Sequence, residues 1–151
     1  MQMDTVRFKL EELRLVSGED QRDLQILFAQ SKNDGNFSAK QRKLFFAHGG
    51  ILVVVRDVTE HSVIVGMASL LVLHSLVKSG GYIGHVCVER SVRRNGIASD
   101  LLIHLVARAK GLGLSDVRLT CNASNPGTNA LYQGLGFEPA GKSSNRYKIV
   151  F

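Results

Sequence analysis

The stretch Val86-Cys-Val-Glu-Arg-Ser-Val-Arg-Arg-Asn-Gly-Ile-Ala-Ser-Asp-Leu-Leu102 changes its pattern twice. An apolar, β-branched run ends at Val88, a basic turn carries Arg90, Arg93 and Arg94, and apolar residues at helical spacing begin after Gly96. The order predicts a strand, a glycine-containing basic loop and a helix. The first four backbone N–H groups of a helix have no intrahelical acceptor and carry the positive end of its dipole. A loop that feeds such a start, with a glycine where the backbone must come close, suits a phosphate or pyrophosphate. The same residues also suit an ordinary connection with a solvated basic face, and the local pattern leaves both open.

Downstream, Ile97, Leu101, Leu105 and Ala109 recur every four residues, with Ala98, Leu102 and Val106 widening the stripe, until Gly111 and Gly113 stop the helix. Ser99, Asp100, His104, Arg108 and Lys110 suit its wetter face. Asp116 to Cys121 alternates as a short strand, residues 122–127 form a turn, and Thr128 to Gly134 predicts a short helix. Phe137 is a core aromatic, and Arg146 to Phe151 is a last strand, with room for one more before it. Upstream, Tyr82 to Val88 is the strand that feeds the basic loop. Ile51 to Val55 and Ser62 to Leu73 form an antiparallel pair about the turn Asp57 to His61. Ser17 opens a capping-box-like helix start running to about Gln30. Ser38 caps a second helix whose apolar side is Leu44, Phe45 and Phe46, and Val6 to Val16 is a candidate edge strand. Strands paired by turns come first and a β-α-β crossover follows. The expected fold is therefore α/β (α+β): a mixed, mostly antiparallel central sheet of six to seven strands with about four helices.

With 151 residues, 44% apolar and 21% charged, the chain has the composition of one soluble globular domain, residues 1–151. Its net charge of +6 and pI near 9.6 suit a polyanionic ligand, either a phosphorylated cofactor or a nucleic acid. Cys87 and Cys121 lie in apolar runs without metal or disulfide spacing, which predicts buried free thiols in a reducing compartment. The N-terminus has no apolar signal core, and Val63 to Leu73 is too short to span a bilayer, so the expected location is cytoplasmic, with no membrane partner. His48, His61, His74 and His104 are scattered without ligand spacing, and no metal is expected. Lys40, Arg42 and Lys43 form a charge run expected to be a solvated helix face.

Two motifs in sequence order resemble those of the GNAT superfamily of acyl-CoA-dependent N-acetyltransferases. Arg93-Arg94-Asn95-Gly96-Ile97-Ala98 is similar to that family's Arg/Gln-x-x-Gly-x-Gly/Ala loop. Asn125, followed by Ala130-Leu131-Tyr132-Gln133-Gly134-Leu135-Gly136-Phe137, is similar to its Asn…Ala-x-x-Leu-Tyr-x-x-x-Gly-Phe stretch. The resemblance covers Gly81 to Phe137 and reaches the remainder through element order. It implies acetyl-CoA as acyl donor, with the pyrophosphate on the N–H groups of Arg94, Asn95, Gly96, Ile97, Ala98 and Ser99 beside Arg93. It implies the pantetheine arm along Val86, Cys87 and Val88, with the thioester carbonyl near a backbone N–H of that strand. The next strand would splay away to admit the arm, Asn125 would contact it, and Tyr132 would protonate the leaving thiolate.

The chain departs from the family where a carboxylate base is usual: Gly84-His85 stands in place of an acidic pair, and Thr120 in place of a glutamate of protein N-terminal acetyltransferases. An amine of pKa near 10 must lose a proton before it attacks, at a cost of about 4 kcal/mol near neutrality. His85 is the candidate base, with Tyr82 and Glu89 behind it, and catalysis by positioning alone is a further option. Simple alternation puts His85 on the side of Ile83 and Cys87, where a satisfied core or helix-packed histidine is an equal reading. The expected activity is acetyl transfer to a primary amine of a small molecule by direct attack in a ternary complex. The competing readings are a catalytically weak acyl-CoA-binding sensor and a protein N-terminal or lysine acetyltransferase. Nucleic-acid binding is disfavoured because no aromatics interleave with the arginines. A homodimer is left open.

Overall fold

A computed structural model of the chain describes residues 2–30, 35, 37–120, 126–139 and 146–151. Among these, seven strands form one sheet: β1 (Phe8–Leu13), β2 (Ile51–Asp57), β3 (Val63–His74), β4 (Ser79–Val88), β5 (Asp116–Thr120), β6 (Glu138–Pro139) and β7 (Arg146–Val150). Their order across the sheet is β1-β2-β3-β4-β5-β7-β6. Every neighbouring pair is antiparallel except β4 and β5, which are parallel. The mixed, mostly antiparallel sheet expected from the sequence is thus observed.

The helices are α1 (Gly18–Gln30), α2 (Ala39–Ala47), α3 (Ile97–Gly111) and α4 (Pro126–Gly134), and Arg90–Val92 forms a 3-10 turn that the sequence pattern did not announce. Ser17 Oγ accepts from Asp20 N at 3.1 Å and Ser38 Oγ from Gln41 N at 3.1 Å, so both caps form where the sequence places them. On α2, Phe45 and Phe46 pack inward, whereas Leu44 is exposed, which narrows the expected apolar side.

Two apolar clusters lie on opposite sides of the sheet. One gathers Val53, Val55, Leu70 and Ile83 with Ile97, Leu101 and Leu105 of α3 and Tyr132 of α4. The other gathers Leu52, Val54, Met67 and Cys87 with Leu24, Leu27 and Phe28 of α1. A Cβ on Gly66 of β3 would stand 2.7 Å from Ile97 Cγ2, so the missing side chain lets the first turn of α3 press against the sheet. On the outer face of α3, His104 Nε2 and Arg108 Nε meet Glu12 Oε1 at 2.8 and 2.7 Å and tie the helix to β1. Among the described residues no helix is long and apolar enough to cross a membrane, and no group of three or more His, Cys, Asp or Glu is placed to hold a metal ion. Cys87 is buried; Cys121 lies outside the described residues.

Candidate active site

The parallel ladder of β4 and β5 pairs Gly81–Ile83 with Val117–Leu119, and among the described residues it goes no further. A groove of about 570 Å³ opens at this point, lined by Val86, Cys87 and Val88 of β4, by the loop and first turn of α3, by Leu131 and Tyr132 of α4, and by Leu27 and Gln30 of α1. That size lies within the range of small-molecule and cofactor sites, about 300–1,000 Å³.

The start of α3 brings uncapped amides and arginines to the groove. Gly96 is the N-cap of α3 with φ of 77°, and it offers no side chain to the helix start. Asp100 N is the donor that reaches back to Gly96 O, at 3.1 Å, so the N–H groups of Ile97, Ala98 and Ser99 precede the first intrahelical bond. Gly96, Ile97, Ala98 and Ser99 all line the groove, beside Arg93 and Arg94. Arg94 itself holds a left-handed backbone with φ of 66°, uncommon for a residue with a side chain. Arg93 Nε donates to Val88 O at 3.1 Å and fastens the loop to β4. Asn95 does not line the groove: its amide turns inward and donates to Val92 O at 2.8 Å. The sequence grouped it with the anion contacts, but its side chain holds the loop closed from inside. Asn125 lies outside the described residues.

Tyr132 stands at the opposite wall, with its ring 6.1 Å from Phe137 and 5.9 Å from Tyr147. It is buried in the α3–α4 core while still lining the groove.

Gln30 carries no local signal of a site role. Its Nε2 donates to Glu89 Oε1 at 3.2 Å, and its Oε1 is buried at the edge of the groove with no hydrogen-bond partner among the described residues. A carboxylate accepts only, so this bond decides which end of the amide is the orphan. An unsatisfied buried carbonyl costs about 1–3 kcal/mol, and a bound group rich in amide N–H would relieve it. Glu89 is otherwise engaged at the 3-10 turn, where Ser91 donates to it through both N–H and O–H. Those bonds hold its pKa below the ordinary carboxylate value, which suits a cap better than a base.

His85 requires a correction. Ser69 pairs with Gly84 and Met67 with Cys87, so Ala68 alone stands across from His85 and Val86. The extra residue is a β-bulge, and His85 adopts φ of 54°. The bulge resets the alternation: Ile83 faces the α3 cluster and Cys87 faces the α1 cluster. His85 lies with Cys87 on the α1 side, its ring 5.3 Å from that of Phe28 and 6.3 Å from that of Phe37. The residue is exposed, yet the two phenyl rings shield its imidazole, and that desolvation lowers its pKa from the ordinary 6.5. Tyr82 and Thr120, one strand apart, share a hydrogen bond of 2.9 Å between their hydroxyls.

Comparison with known proteins agrees with this geometry. The model of the Acetyltransferase (GNAT) family matches residues 18–137. Over 58 residues the chain is 38% identical to GCN5-related N-acetyltransferase 6, chloroplastic, of Arabidopsis thaliana, an alignment spanning 38% of this chain and 20% of that protein. The solved NatC complex bound to Gag peptide and CoA superposes with a TM-score of 0.80 at 17% identity, over 96% of this chain and 99% of that one. Glucosamine-6-phosphate N-acetyltransferase of Arabidopsis thaliana superposes with a TM-score of 0.74 at 18% identity, over 90% and 95%. These two likenesses concern the fold. The strand–loop–helix groove and the family match lead to one conclusion: the chain belongs to the GNAT acetyltransferase family, whose acyl donor is acetyl-CoA.

Proposed function

We propose that the protein moves the acetyl group of acetyl-CoA to the primary amine of a small molecule, by direct attack within a ternary complex. The observation that carries this reading is the groove itself, lined by the uncapped start of α3, by Arg93 and Arg94, and by Tyr132. The loop residues Arg93, Arg94, Gly96, Ile97, Ala98 and Ser99 would take the pyrophosphate. The strand residues Val86, Cys87 and Val88 would take the pantetheine arm, where β4 has no β5 partner among the described residues. Asn95 contributes through its backbone.

His85 is the proposed base. Desolvation favours its neutral form, so at neutral pH the ring can accept a proton from the acceptor's ammonium, directly or through a water. The amine lone pair then attacks the thioester carbon, a C–N bond forms and the C–S bond breaks. Tyr132 gives its phenolic proton to the departing thiolate and regains one from the nitrogen of the new amide, so the net proton released is the one taken by His85. A small acceptor is preferred because the Thr120 position carries no carboxylate and its hydroxyl is bonded to Tyr82. Similar folds serve a peptide-bound complex and an enzyme named for glucosamine 6-phosphate, so the sheet alone does not choose the acceptor. A cytoplasmic location belongs to the same reading and rests on composition.

Calorimetry with CoA tests the groove, and transfer from acetyl-CoA to a panel of amino acids, amino sugars, polyamines and N-terminal peptides tests the acceptor. Absence of heat with millimolar CoA overturns the whole reading. Tight binding without transfer to any amine favours a sensor, and transfer confined to peptides overturns the small-molecule acceptor.

A further inference from the structure

Ser69 is a buried polar residue on β3, directly across the ladder from Gly84 and next to the bulge that carries His85. Its Oγ lies 3.0 Å from Gly84 O and 3.1 Å from His85 Nδ1. A hydroxyl has one proton to give. A carbonyl oxygen can only accept, so the bond to Gly84 O uses that proton. The contact with His85 must then run the other way, from Nδ1–H to the lone pair of Oγ. The alternative, with Oγ donating to Nδ1, would leave two part-buried oxygens facing each other at 3.0 Å without a hydrogen between them.

We propose that Ser69 is a positioning residue that fixes the tautomer of His85, holding the ring proton on Nδ1 and leaving the lone pair on Nε2. This rests on the reading of His85 as the base, and it names the atom that takes the proton. Three things support it together. The left-handed backbone at His85, φ 54°, turns the side chain out of the regular alternation toward α1. The rings of Phe28 and Phe37 limit its rotation. Ser69 supplies the hydrogen bond that ties one ring nitrogen to the sheet, which decides what the other nitrogen can do. The register explains why Ser69 can serve: the bulge brings the ring of His85 over the residue paired with Gly84.

The test is imidazole nitrogen NMR on the full-length protein, at a pH where the His85 ring is neutral, for wild type, S69A and S69T. The expected result is protonated Nδ1 and bare Nε2 in wild type and S69T, and loss of that preference in S69A. An Nε2–H ring in wild type, or an unchanged tautomer in S69A, overturns the proposal. Should S69A not fold, S69C keeps the volume with a much weaker donor and acceptor, and the same comparison applies. The kinetic counterpart uses acetyl-CoA and the fastest amine of the panel. S69A should lower kcat about tenfold with KM for acetyl-CoA unchanged, S69T should restore it, and S69A should add nothing in an H85A background. An equal fall in that background shows that Ser69 does not act through His85 and also overturns the proposal. An H85A rate equal to wild type removes His85 as the base, while the NMR result still decides the tautomer.

Discussion

Gln30 Nε2 lies 3.2 Å from Glu89 Oε1, and this one bond joins the last residue of α1 to the start of the 3-10 turn and orients an amide whose carbonyl has no partner among the described residues. Gln30→Leu removes the orphan carbonyl and should raise the melting temperature of the unliganded protein. It should also weaken CoA about tenfold, the worth of one hydrogen bond, and leave the affinity for adenosine 3′,5′-bisphosphate, which lacks the pantetheine arm, unchanged. Scanning calorimetry and titration check the two halves separately. Equal losses for both ligands would place Gln30 away from the arm.

Gly96→Asp should abolish CoA binding while circular dichroism stays native. The position requires φ of 77°, which costs a side-chain residue strain, and the new carboxylate would stand among amides placed for an anion. Unchanged affinity in titration calorimetry would refute the loop assignment.

Tyr132→Phe keeps the buried ring beside Phe137 and Tyr147 and removes the phenolic proton. Turnover should fall by about a hundredfold or more, with KM for acetyl-CoA little changed, as expected when a general acid is lost. A rate equal to wild type means that the leaving thiolate takes its proton from elsewhere.

Burial sets the sign of the pH dependence at His85. Desolvation lowers its pKa below 6.5, so the basic form prevails at neutral pH and kcat/KM should fall only as pH drops below that value. His85→Ala should erase this acidic limb. For stability, a depressed histidine pKa means that the unfolded chain binds the proton more readily, so this contribution is present above 6.5 and is lost as pH falls below it.

Arg7 Nε and Nη2 reach Asp57 Oδ2 at 3.1 and 2.8 Å, and Thr59 Oγ1 donates to Oδ1 at 2.6 Å. The Arg7 bond, then the Thr59 bond, lower the pKa of Asp57 from 3.8 to about 2. The stabilisation is present above 3.8 and is lost as pH falls through about 2. Thermal melts should therefore show Asp57→Asn less stable than wild type at neutral pH, with the gap closing toward pH 2. A gap that stays constant with pH would show that the charge of Asp57 contributes nothing.

The strand-to-helix passage at Val88 to Ile97, the helix stripe to Ala109 and the caps at Ser17 and Ser38 were legible in the sequence. Each depends on neighbours within a turn or two: a glycine that tolerates positive φ, a hydroxyl three residues from an N–H, apolar residues every fourth position. The groove could be anticipated from those local signals at its loop, and at Tyr132 only through the family resemblance, whereas Gln30 was marked by neither.

What required the folded chain was everything set by pairing at long range. Alternation alone put Ile83, His85 and Cys87 on one side; the offset between Met67–Cys87 and Ser69–Gly84 separates them, because one residue on β3 stands opposite two on β4. Gln30 meets Glu89, and Ser69 meets His85, only after strands and helices from distant parts of the chain have docked. The sequence by itself therefore determined the element order and the strand–glycine loop–helix passage at Val88 to Ile97. Tertiary structure decided which way the candidate base points and what holds it there, since a shift of one residue in strand register reverses every side chain beyond it.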